Sequence, residues 1–576
     1  MDIFPNEEEI ELAADLLVNK YKISAQLLGQ LLSTKQTQEA NSLVKKIGNK
    51  NSSRVDVAKR LIRRTGPGLF CGSSKYVKEL RYKLLAHLSD AEVTRLFRRY
   101  KPQSNITTSS HMRKPLSELK WVARGPWPID FVESLGFPKI FAGIRPISVL
   151  PTIDNIPPLG IPPKLVQFQD YLKKQMLDVL TREGKKTRCV VTLPTGGGKT
   201  RVAVEAFIDW MHPRFANRQY LLWIAQSEEL CEQAISCIRQ LWGAREYTSA
   251  LRVYRYFGGR DIPVNELTGG AVVTSIQQLY NRAKSDDEAL NAILKDTGAM
   301  IIDEAHRAIS DMYNSLMTKA EEICGPELFP ICGLTATPGR SGLYKNEETM
   351  KLVNKFDAYL IKPDLGKEFA ETPLRYFREN GYLAWPSHII YRSGREYVLT
   401  EDEIQQMQLE GDIASGFLKR LANDRKRNEL IIRRLLALPT NTPTLVYACT
   451  VEHAYFLADL LSELSGHHAG AISSDTPLTI RRGLIQEFKE GKMQFLCNFG
   501  VLTTGFDAPK TECIAICRPT TSEVLYEQIV GRGLRGPKFG GTDKCLVIDF
   551  ADNILRLGPP LAYARFNDFW TGESVE

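Results

Sequence analysis

No stretch of the 576-residue sequence approaches the roughly 20 consecutive apolar residues that span a bilayer. The N-terminus is acidic, so it also lacks the basic start and apolar block of a secretory signal. We therefore expect no membrane partner and a cytoplasmic location.

The eleven cysteines lack the spacing of a zinc site. Cys231 and Cys237 lie six positions apart and Cys513 and Cys517 four, and neither pair shows the CxxC spacing or neighbouring histidines. Several others lie in apolar runs, where a reduced thiol packs as a small hydrophobic group: Cys189, Cys332, Cys497 and Cys545. The sequence therefore predicts free thiols and no metal site built from cysteine.

A net positive charge is absent from most of the chain. Residues 1–120 contain 22 Lys and Arg against 12 Asp and Glu, whereas the remainder contains 53 against 55. The excess concentrates in residues 51–120, with 16 basic and 5 acidic residues. Residues 51–120 are therefore the first candidate for a contact with nucleic acid, although the same charges also suit solvent-exposed helix faces.

The spacing of apolar residues and prolines divides the chain into segments. Apolar residues recur every three or four positions in residues 7–101, which predicts a basic helical accessory domain over 1–120. Residues 121–164 contain nine prolines, which are expected to exclude regular helix and to make this segment a connector. Residues 346–440 lack a regular pattern and are expected to form a helical or irregular segment between domains.

Short apolar runs alternate with amphipathic stretches on both sides of residues 346–440. The alternation predicts parallel sheets covered by helices, in one α/β domain over 165–345 and a second over 441–576. A chain of this length also exceeds what one hydrophobic core usually supports. The predicted strands are 189–193, 220–225, 271–274, 300–302 and 331–334 in the first domain, and 444–448, 495–498, 513–517 and 545–550 in the second.

A glycine-rich loop follows the first predicted strand and precedes a helical run. Glycines let successive backbone N–H groups and a helix N-terminus face phosphate, so the loop predicts a nucleotide site, although Leu193 replaces the usual first glycine. Lys199 is expected to meet the β- and γ-phosphates and Thr200 a magnesium ion. The predicted nucleotide-binding residues are Thr195, Gly196, Gly197, Gly198, Lys199 and Thr200.

Two adjacent carboxylates, Asp303 and Glu304, follow the apolar strand 300–302. Ligands of α/β sheets gather at the carboxyl ends of strands, which is where these side chains are predicted to lie. We expect Asp303 to hold magnesium, directly or through water. We expect Glu304 to orient and deprotonate the attacking water.

The loop and the Asp303-Glu304-Ala305-His306 tetrapeptide resemble motifs of superfamily 2 helicases, and the resemblance extends over roughly 160–555. It implies two tandem RecA-like parallel-sheet domains, here preceded by an all-α N-terminal domain, with ATP and Mg²⁺ as cofactors. Gln169 matches the glutamine that reads the adenine edge in that family, although Gln167 replaces a commoner proline. Thr335-Ala336-Thr337 resembles the family's coupling motif, toward which His306 is expected to hydrogen-bond.

The segment from Gln528 to Arg535 matches the arginine-finger helix of these helicases. The resemblance implies that Gln528, Arg532 and Arg535 face the nucleotide from the second domain. Guanidinium groups there would stabilise the charge that spreads over the phosphate oxygens in the transition state. The predicted catalytic residues are Lys199, Asp303, Glu304, His306, Gln528, Arg532 and Arg535.

Four further segments match, in order, the phosphate-contacting segments of these helicases. The one in the second domain implies backbone contacts by Thr503 and Thr504 and nucleotide contacts by Gly505 and Asp507. The first-domain segments contribute Gln226, Ser227, Gly259, Arg260, Thr274 and Ser275. Such groups contact phosphates and read no base edges, so binding is expected to be largely independent of sequence. Each loop taken alone also suits a helix cap or a turn.

A closer resemblance is to RadD-type proteins. The matching segments are 450–454, 501–509, 518–520 and 526–535, with shorter matches at 374–376 and 381–383. That family is associated with bacterial DNA repair, so the resemblance implies a helicase or translocase that acts on single-stranded or junction-containing DNA. The chain departs from the family in two ways. Some 160 residues precede the helicase core, and no segment matches the family's C-terminal zinc-binding region.

Two other functions stay open at the level of sequence. The N-terminal helices could dock a protein partner and make the chain the motor subunit of a defence or restriction complex. An RNA helicase is the second alternative, because the sequences of loops that bind a phosphate backbone do not show whether the sugar is ribose or deoxyribose.

Overall fold

The structure, a computed structural model, describes residues 4–144, 151–157, 164–243, 249–325, 329–336, 345–369, 372–410, 412–502 and 508–555. An all-α domain precedes two domains built on parallel sheets, which confirms the predicted fold class. Within these ranges, no helix combines the length and the apolar content needed to cross a membrane.

The thiols behave as the sequence predicted. All eleven cysteines are free, and most of them are buried. Burial raises the pKa of several of these thiols, so they stay protonated and pack as small apolar groups. The described part of the chain contains no cluster of side chains suited to hold a metal ion through His, Cys, Asp and Glu.

Eight helices form the N-terminal domain. Asn6, Ser53 and Ser89 cap three of them in reciprocal capping boxes with the acidic residue three positions on. Seven of the eight helices bury apolar residues in one shared core, to which Thr34–Gly48 does not contribute. The helices are Glu7–Asp15 (α1), Ala25–Leu32 (α2), Thr34–Gly48 (α3), Arg54–Thr65 (α4), Lys75–Leu85 (α5), Asp90–Tyr100 (α6), Ser109–Ser117 (α7) and Pro126–Leu135 (α8), with one π-helical turn at Leu16–Lys20.

The proline-rich segment contains α8, so the expectation that its prolines exclude regular helix is wrong. Pro126 and Pro128 stand in the first turn, where backbone N–H groups have no partner within the helix and proline removes no hydrogen bond. Phe131 and Val132 pack into the core that the preceding helices other than α3 share. The N-terminal unit therefore continues past residue 120, and only the residues after it can act as the connector.

The first sheet has eight strands in the order β1-β4-β5-β3-β6-β7-β2-β8. All neighbours are parallel except β1, which comes from the connector, lies at the edge of the sheet and pairs antiparallel with β4. The strands are Ile153–Ile156 (β1), Arg188–Thr192 (β2), Tyr220–Ala225 (β3), Leu251–Tyr256 (β4), Gly270–Ser275 (β5), Thr297–Asp303 (β6), Ile331–Thr335 (β7) and Leu360–Ile361 (β8).

The second sheet has six parallel strands in the order β11-β12-β10-β13-β14-β9. Its edge strand β9 lies in residues 346–440, where the sequence predicted only helical or irregular structure. β9 is half-exposed and polar, so it lacks the apolar run by which the buried strands were found. The strands are Trp385–Val398 (β9), Thr444–Tyr447 (β10), Ala469–Ile472 (β11), Phe495–Asn498 (β12), Cys513–Ile516 (β13) and Lys544–Leu555 (β14).

Helices cover both sheets. Those of the first domain are Gln167–Thr181 (α9), Lys199–Met211 (α10), Glu228–Gly243 (α11), Ile276–Lys284 (α12), Glu288–Lys295 (α13), Asp311–Cys324 (α14) and Lys345–Lys355 (α15). Those that follow are Pro373–Glu379 (α16), Glu401–Glu410 (α17), Ser415–Ala422 (α18), Arg425–Leu436 (α19), Val451–Ser465 (α20), Leu478–Lys489 (α21) and Glu523–Val530 (α22).

The N-terminal domain packs on the second sheet domain through α3 and α4. Leu43 of α3 joins the apolar core beneath α19 and α20. Arg60 of α4 forms a buried ion pair with Glu463 of α20 at 2.8 Å, and the Arg64 guanidinium lies 5.2 Å from the ring centre of Tyr455. Part of the N-terminal basic charge therefore serves packing within the chain, which neither of the two sequence-based interpretations had predicted.

Candidate nucleotide site between the two sheet domains

Three neighbouring strands of the first sheet, β6, β7 and β2, end at the predicted nucleotide residues. The glycine loop follows β2, Asp303 closes β6, and Thr335 closes β7. Because these strands are parallel and adjacent, their carboxyl ends bring the three motifs to one edge of the sheet. The first and last of these motifs lie more than 130 residues apart in the chain, but all three meet in the fold.

The glycine loop has the backbone that its sequence predicted. Gly196 and Gly198 adopt φ angles of +87° and +90°, which side chains with a Cβ rarely tolerate. Gly198 is the N-cap of α10, so Lys199 and Thr200 begin the helix and its N-terminal N–H groups face the loop. Lys199 Nζ donates to Leu193 O at 2.9 Å, which holds the ammonium group inside the curve of the loop.

Gln169 is buried against the same loop. Its Nε2 donates to Gly197 O at 3.1 Å, and its Oε1 accepts from Val166 N at 3.4 Å. A Cβ on Gly198 would lie 2.6 Å from Gln169 Nε2, so the two residues approach as closely as glycine allows. The predicted adenine-reading residue is therefore tied to the loop backbone, while its reading of the base stays a prediction.

The two carboxylates differ in their surroundings. Burial, together with the neighbouring charge of Glu304, raises the pKa of Asp303 to about 7. Burial also acts on Glu304, but the hydrogen bond from His306 and the charges of Lys199 and Arg532 hold its pKa below the usual range. A divalent cation beside Asp303 would favour the ionised carboxylate there, so this acid–base pair fits a magnesium site.

Glu304 occupies a strained position. Its φ of +52° lies in the left-handed region, which is uncommon for residues other than glycine and is found most often at functional sites. His306 Nδ1 lies 3.3 Å from Glu304 Oε2 and 3.1 Å from Thr335 Oγ1. The predicted contact between His306 and the coupling motif is confirmed, and it joins the carboxylate to the end of β7.

α22 of the second domain and the turn after it, which carries Arg532, face this edge. Arg532 is close enough that its charge affects Lys199, Asp303 and Glu304. Contact is also direct, since a Cβ on Gly531 would lie 2.5 Å from the Thr195 side chain. The structure therefore brings the glycine loop and the arginine motif together across the cleft, as the resemblance implied.

Gln528 and Arg535 belong to the same helix and the turn after it. Gln528 is buried, and its carbonyl oxygen accepts from Arg532 Nε at 3.3 Å. The Arg535 backbone lies beside the glycine loop, because a Cβ on Gly196 would be 3.9 Å from Arg535 Cα. The Arg535 backbone thus lies at the cleft, and the roles of the Gln528 and Arg535 side chains stay predictions.

Sequence reasoning missed Glu527, which precedes Gln528 on α22. Burial raises the pKa of Glu527 to about 7, and the charges of Lys199 and Glu304 act on it across the cleft. The only signal in the sequence was an acidic residue inside an otherwise recognised motif. The structure is needed to show that this carboxyl group faces the first domain.

The predicted phosphate-contacting loops occupy the other half of the same sheet edge, after the neighbouring strands β4, β5 and β3. Gly259 N donates to Gln278 Oε1 at 2.9 Å, and Gln278 Nε2 donates to Arg260 O at 2.9 Å, which ties the loop after β4 to α12. Gln226 Nε2 donates to Tyr313 OH at 2.8 Å.

The hydroxyl residues of these loops are engaged locally. Ser227 and Ser275 each accept a hydrogen bond from the backbone N–H three residues on, at the starts of α11 and α12. Thr274 is fully buried, and its hydroxyl donates to Ser275 O at 3.3 Å. In this conformation the serines act as helix caps, and the Thr274 side chain is buried.

One ion pair joins the two domains at this half of the edge. Arg481 of α21 pairs with Glu229 of α11, and Arg481 Nη2 also donates to Ser474 O and Thr476 O at 3.0 and 3.2 Å. Sequence reasoning did not identify Arg481, because nothing in its local pattern distinguishes it from a surface arginine.

Several predicted residues lie outside the described parts of the chain. These are Thr337 of the coupling motif and Thr503, Thr504, Gly505 and Asp507 of the second-domain segment. Their roles stay predictions.

Two RecA-like domains with a composite site between them define the class of protein. Residues 164–340 match the family model for the type III restriction enzyme, res subunit, and residues 427–536 match that of the helicase conserved C-terminal domain. The chain carries a superfamily 2 helicase core. The closer likeness to RadD-type proteins stays a prediction.

Relatives with curated names are similar to this core. IRC3 of Saccharomyces cerevisiae, named as an ATP-dependent helicase, is 27% identical over 64% of this chain and 49% of its own length. The irc3 protein of Schizosaccharomyces pombe, named as a mitochondrial ATP-dependent helicase, is 27% identical over 68% of this chain and 58% of its own. The chain thus spans about half the length of these relatives.

Solved helicase structures are similar at a lower level. The Hef helicase domain of Pyrococcus furiosus is 16% identical, with a TM-score of 0.40, over 69% of this chain and 96% of that domain. The fold assignment rests on the sheets described above.

Proposed function

We propose that this protein is an ATP-dependent helicase or translocase that acts on DNA. One observation carries the proposal: Lys199, Asp303 and Glu304 of the first domain face Arg532 of the second across a direct contact between domains. Charges of both signs, held on separate domains around a glycine loop, suit a triphosphate whose hydrolysis changes how the domains associate.

The residues divide the chemistry between the domains. The loop N–H groups and Lys199 bind the phosphates, and Glu304 orients the attacking water and accepts its proton. Arg532 and Arg535 stabilise the charge that develops on the transferred phosphoryl group. After phosphate leaves, the arginines lose their contact with it, so the contact between the domains weakens. The two domains can then bind and release nucleic acid in turn.

ATP and Mg²⁺ fit the residues present. Thr200 and Asp303 would hold the cation, and Gln169, which lies beside the loop, would meet the adenine edge. When bound, Mg²⁺ would neutralise phosphate charge and favour the ionised form of Asp303.

Nucleic acid is proposed to run along the β4-β5-β3 half of the sheet edge and across to the second domain. The loops there offer backbone N–H groups, Arg260 and helix N-termini, which contact phosphates without reading bases. Glu229 and Arg481 lie on facing domains at this edge, so a bound backbone would compete with Glu229 for the arginine.

The test compares ATP hydrolysis with no nucleic acid, single-stranded DNA, duplex DNA and RNA of one sequence. Under the proposal, single-stranded or junction DNA stimulates phosphate release most, and stimulation falls as salt rises. Stimulation by RNA alone would establish the RNA helicase alternative instead. Strand displacement from a partial duplex, measured beside hydrolysis, separates unwinding from translocation.

A second candidate, the motor subunit of a defence or restriction complex, is favoured by the description of the family that residues 164–340 match. Because α3 and α4 pack against the second domain, a protein partner or DNA would contact α5 and α6, where Lys75, Lys83 and Arg99 are exposed.

Deleting residues 1–120 would expose the apolar surface on which the N-terminal domain packs, so charge reversal is the cleaner test. Lost DNA affinity in Lys75→Glu/Lys83→Glu supports DNA contact, and lost complex formation supports the partner.

Cytoplasmic location and a role in repair or defence also belong to the proposal. One relative is named as mitochondrial, which makes the mitochondrion the alternative location. Fractionation of cells that express the tagged chain separates these locations.

A further inference from the structure

Residues 373–384, which we call the bridging segment, contact both sides of the nucleotide cleft. The segment comprises α16 and the turn that leads into β9. Tyr382 N and Leu383 N both donate to Phe377 O, at 2.8 and 2.9 Å, which folds the turn back onto α16. The mechanism proposed above assigns this segment no part.

The turn forms a short backbone ladder with the arginine motif. Leu383 pairs with Arg535 in an antiparallel bridge. Ala384 N donates to Leu534 O at 2.9 Å on one side of that pair. Arg535 lies beyond the end of α22 at Val530, and its backbone is held in place by the bridging segment.

A second hydrogen bond completes the ladder. Gly536 N donates to Tyr382 O at 3.0 Å. A Cβ on Gly536 would lie 2.5 Å from Gly381 O, so the two backbones approach at a distance that only glycine permits. Such a close approach fixes the direction in which the Arg535 side chain leaves the backbone.

The same turn contacts the first domain beside the nucleotide loop. The Tyr382 ring centre lies 5.1 Å from that of Phe168, at an angle of 75°, and Phe168 precedes Gln169 on α9. Leu383 Cδ2 would lie 3.5 Å from a Cβ on Gly196 of the loop. Edge-to-face aromatic contacts of this kind stabilise by about 0.5–1.5 kcal/mol beyond burial.

We propose that the bridging segment is a positioning element for catalysis, in which Tyr382 and Leu383 set Arg535 against the glycine loop and couple its placement to the Phe168–Gln169 end of the site. The inference rests on the proposed ATP hydrolysis. Tyr382 acts through Arg535 and touches no reacting atom. Its contribution appears in turnover because a misplacement of about 1 Å can cost about 10²-fold in rate.

The first test replaces Tyr382 by leucine, which keeps an apolar side chain but loses the ring contact with Phe168. We expect kcat at saturating ATP to fall about 10- to 100-fold, with KM for ATP changed less than about threefold. Tyr382→Phe keeps the ring and should restore kcat. The matched control is Tyr391→Leu, because Tyr391 also packs on an aromatic ring, that of Phe550, but away from the cleft.

Thermal unfolding and circular dichroism of each variant separate lost turnover from lost folding. A Tyr382→Leu protein that folds but shows a raised KM with full kcat would overturn the proposal. So would an equal loss of kcat in Tyr391→Leu.

A double-mutant cycle tests whether Tyr382 acts through Arg535. If it does, Tyr382→Leu should lower kcat less than about twofold in an Arg535→Ala background, because residues that act as a unit are not additive. A full 10-fold loss in that background contradicts the proposal while leaving ATP hydrolysis established. A wild-type protein without ATPase activity would instead refute the proposed function, and this inference with it.

Discussion

The nucleotide cleft and the interface between the N-terminal domain and the second sheet domain both place arginines against buried carboxylates. At the interface, Arg60 and Glu463 pair at 2.8 Å, with side chains only 2% and 4% exposed. In the cleft, Lys199 binds its own loop carbonyl, and Arg532 acts on Asp303 and Glu304 through their charges.

The difference separates a cluster of charges that holds two domains together from the cluster proposed to act in catalysis. Direct pairing neutralises two charges within the fold and leaves nothing for a ligand. Charges that are fixed by their own domains, around a glycine loop, can respond to a phosphate group between them. Substitutions in the cleft should therefore change turnover, and substitutions at the interface should change stability.

The largest effect is expected at Lys199. Lys199→Ala removes the charge predicted to bind the β- and γ-phosphates, so ATP binding and hydrolysis should both fall, with turnover lost by at least about 10³-fold. Phosphate release in the presence of DNA measures this, with thermal unfolding as the check on folding. Retained DNA-stimulated hydrolysis would contradict the assignment of the site.

Arg535→Ala should lower kcat about 10³-fold while ATP binding persists, because a guanidinium from the second domain stabilises mainly the transition state. Steady-state kinetics and equilibrium binding of a fluorescent nucleotide measure the two quantities. If affinity and turnover fell together by the same factor, Arg535 would be a binding residue and not a catalytic one.

At the interface, Arg60→Ala should lower the free energy of unfolding by about 3–5 kcal/mol, because it leaves Glu463 buried without its partner. The double variant Arg60→Met/Glu463→Leu should recover most of that loss. Denaturant unfolding followed by circular dichroism measures the unfolding free energy of both variants. Turnover per folded molecule should stay within about twofold, and a larger loss would remove the distinction between the two regions.

The smallest effect is a pH dependence at the same interface. Burial raises the pKa of Asp459 to about 7, against the opposing charges of Arg64, Arg60 and Arg63. The folded state therefore holds a proton that the unfolded state releases near pH 4, so stability falls as pH rises through this window. Between pH 5 and 7 the loss should be about 2 kcal/mol.

Asp459→Asn removes this titration and provides the matched comparison. The pH profile of its unfolding free energy should be flatter than that of the wild type between pH 5 and 7. Identical slopes for the two proteins would show that Asp459 titrates normally.

Prediction from sequence succeeded where a signal was local. Strands such as β3 and β12 are short, continuous apolar runs, and they were found at the positions where the structure has them. β9 was missed because its exposed, polar residues carry no such run, and α8 was missed because prolines at a helix start look like prolines in a loop.

The sequence by itself determined the nucleotide loop, the carboxylate pair and the arginine motif, because each is contiguous and depends on the backbone preferences of a few neighbouring residues. The tertiary structure alone decided which partners these motifs meet. Strand order places the loop and Asp303 at the same edge of the sheet, and packing brings Arg60 to Glu463 and Tyr382 to Phe168. Contacts between residues distant in the chain depend on how whole elements pack, which no local pattern encodes.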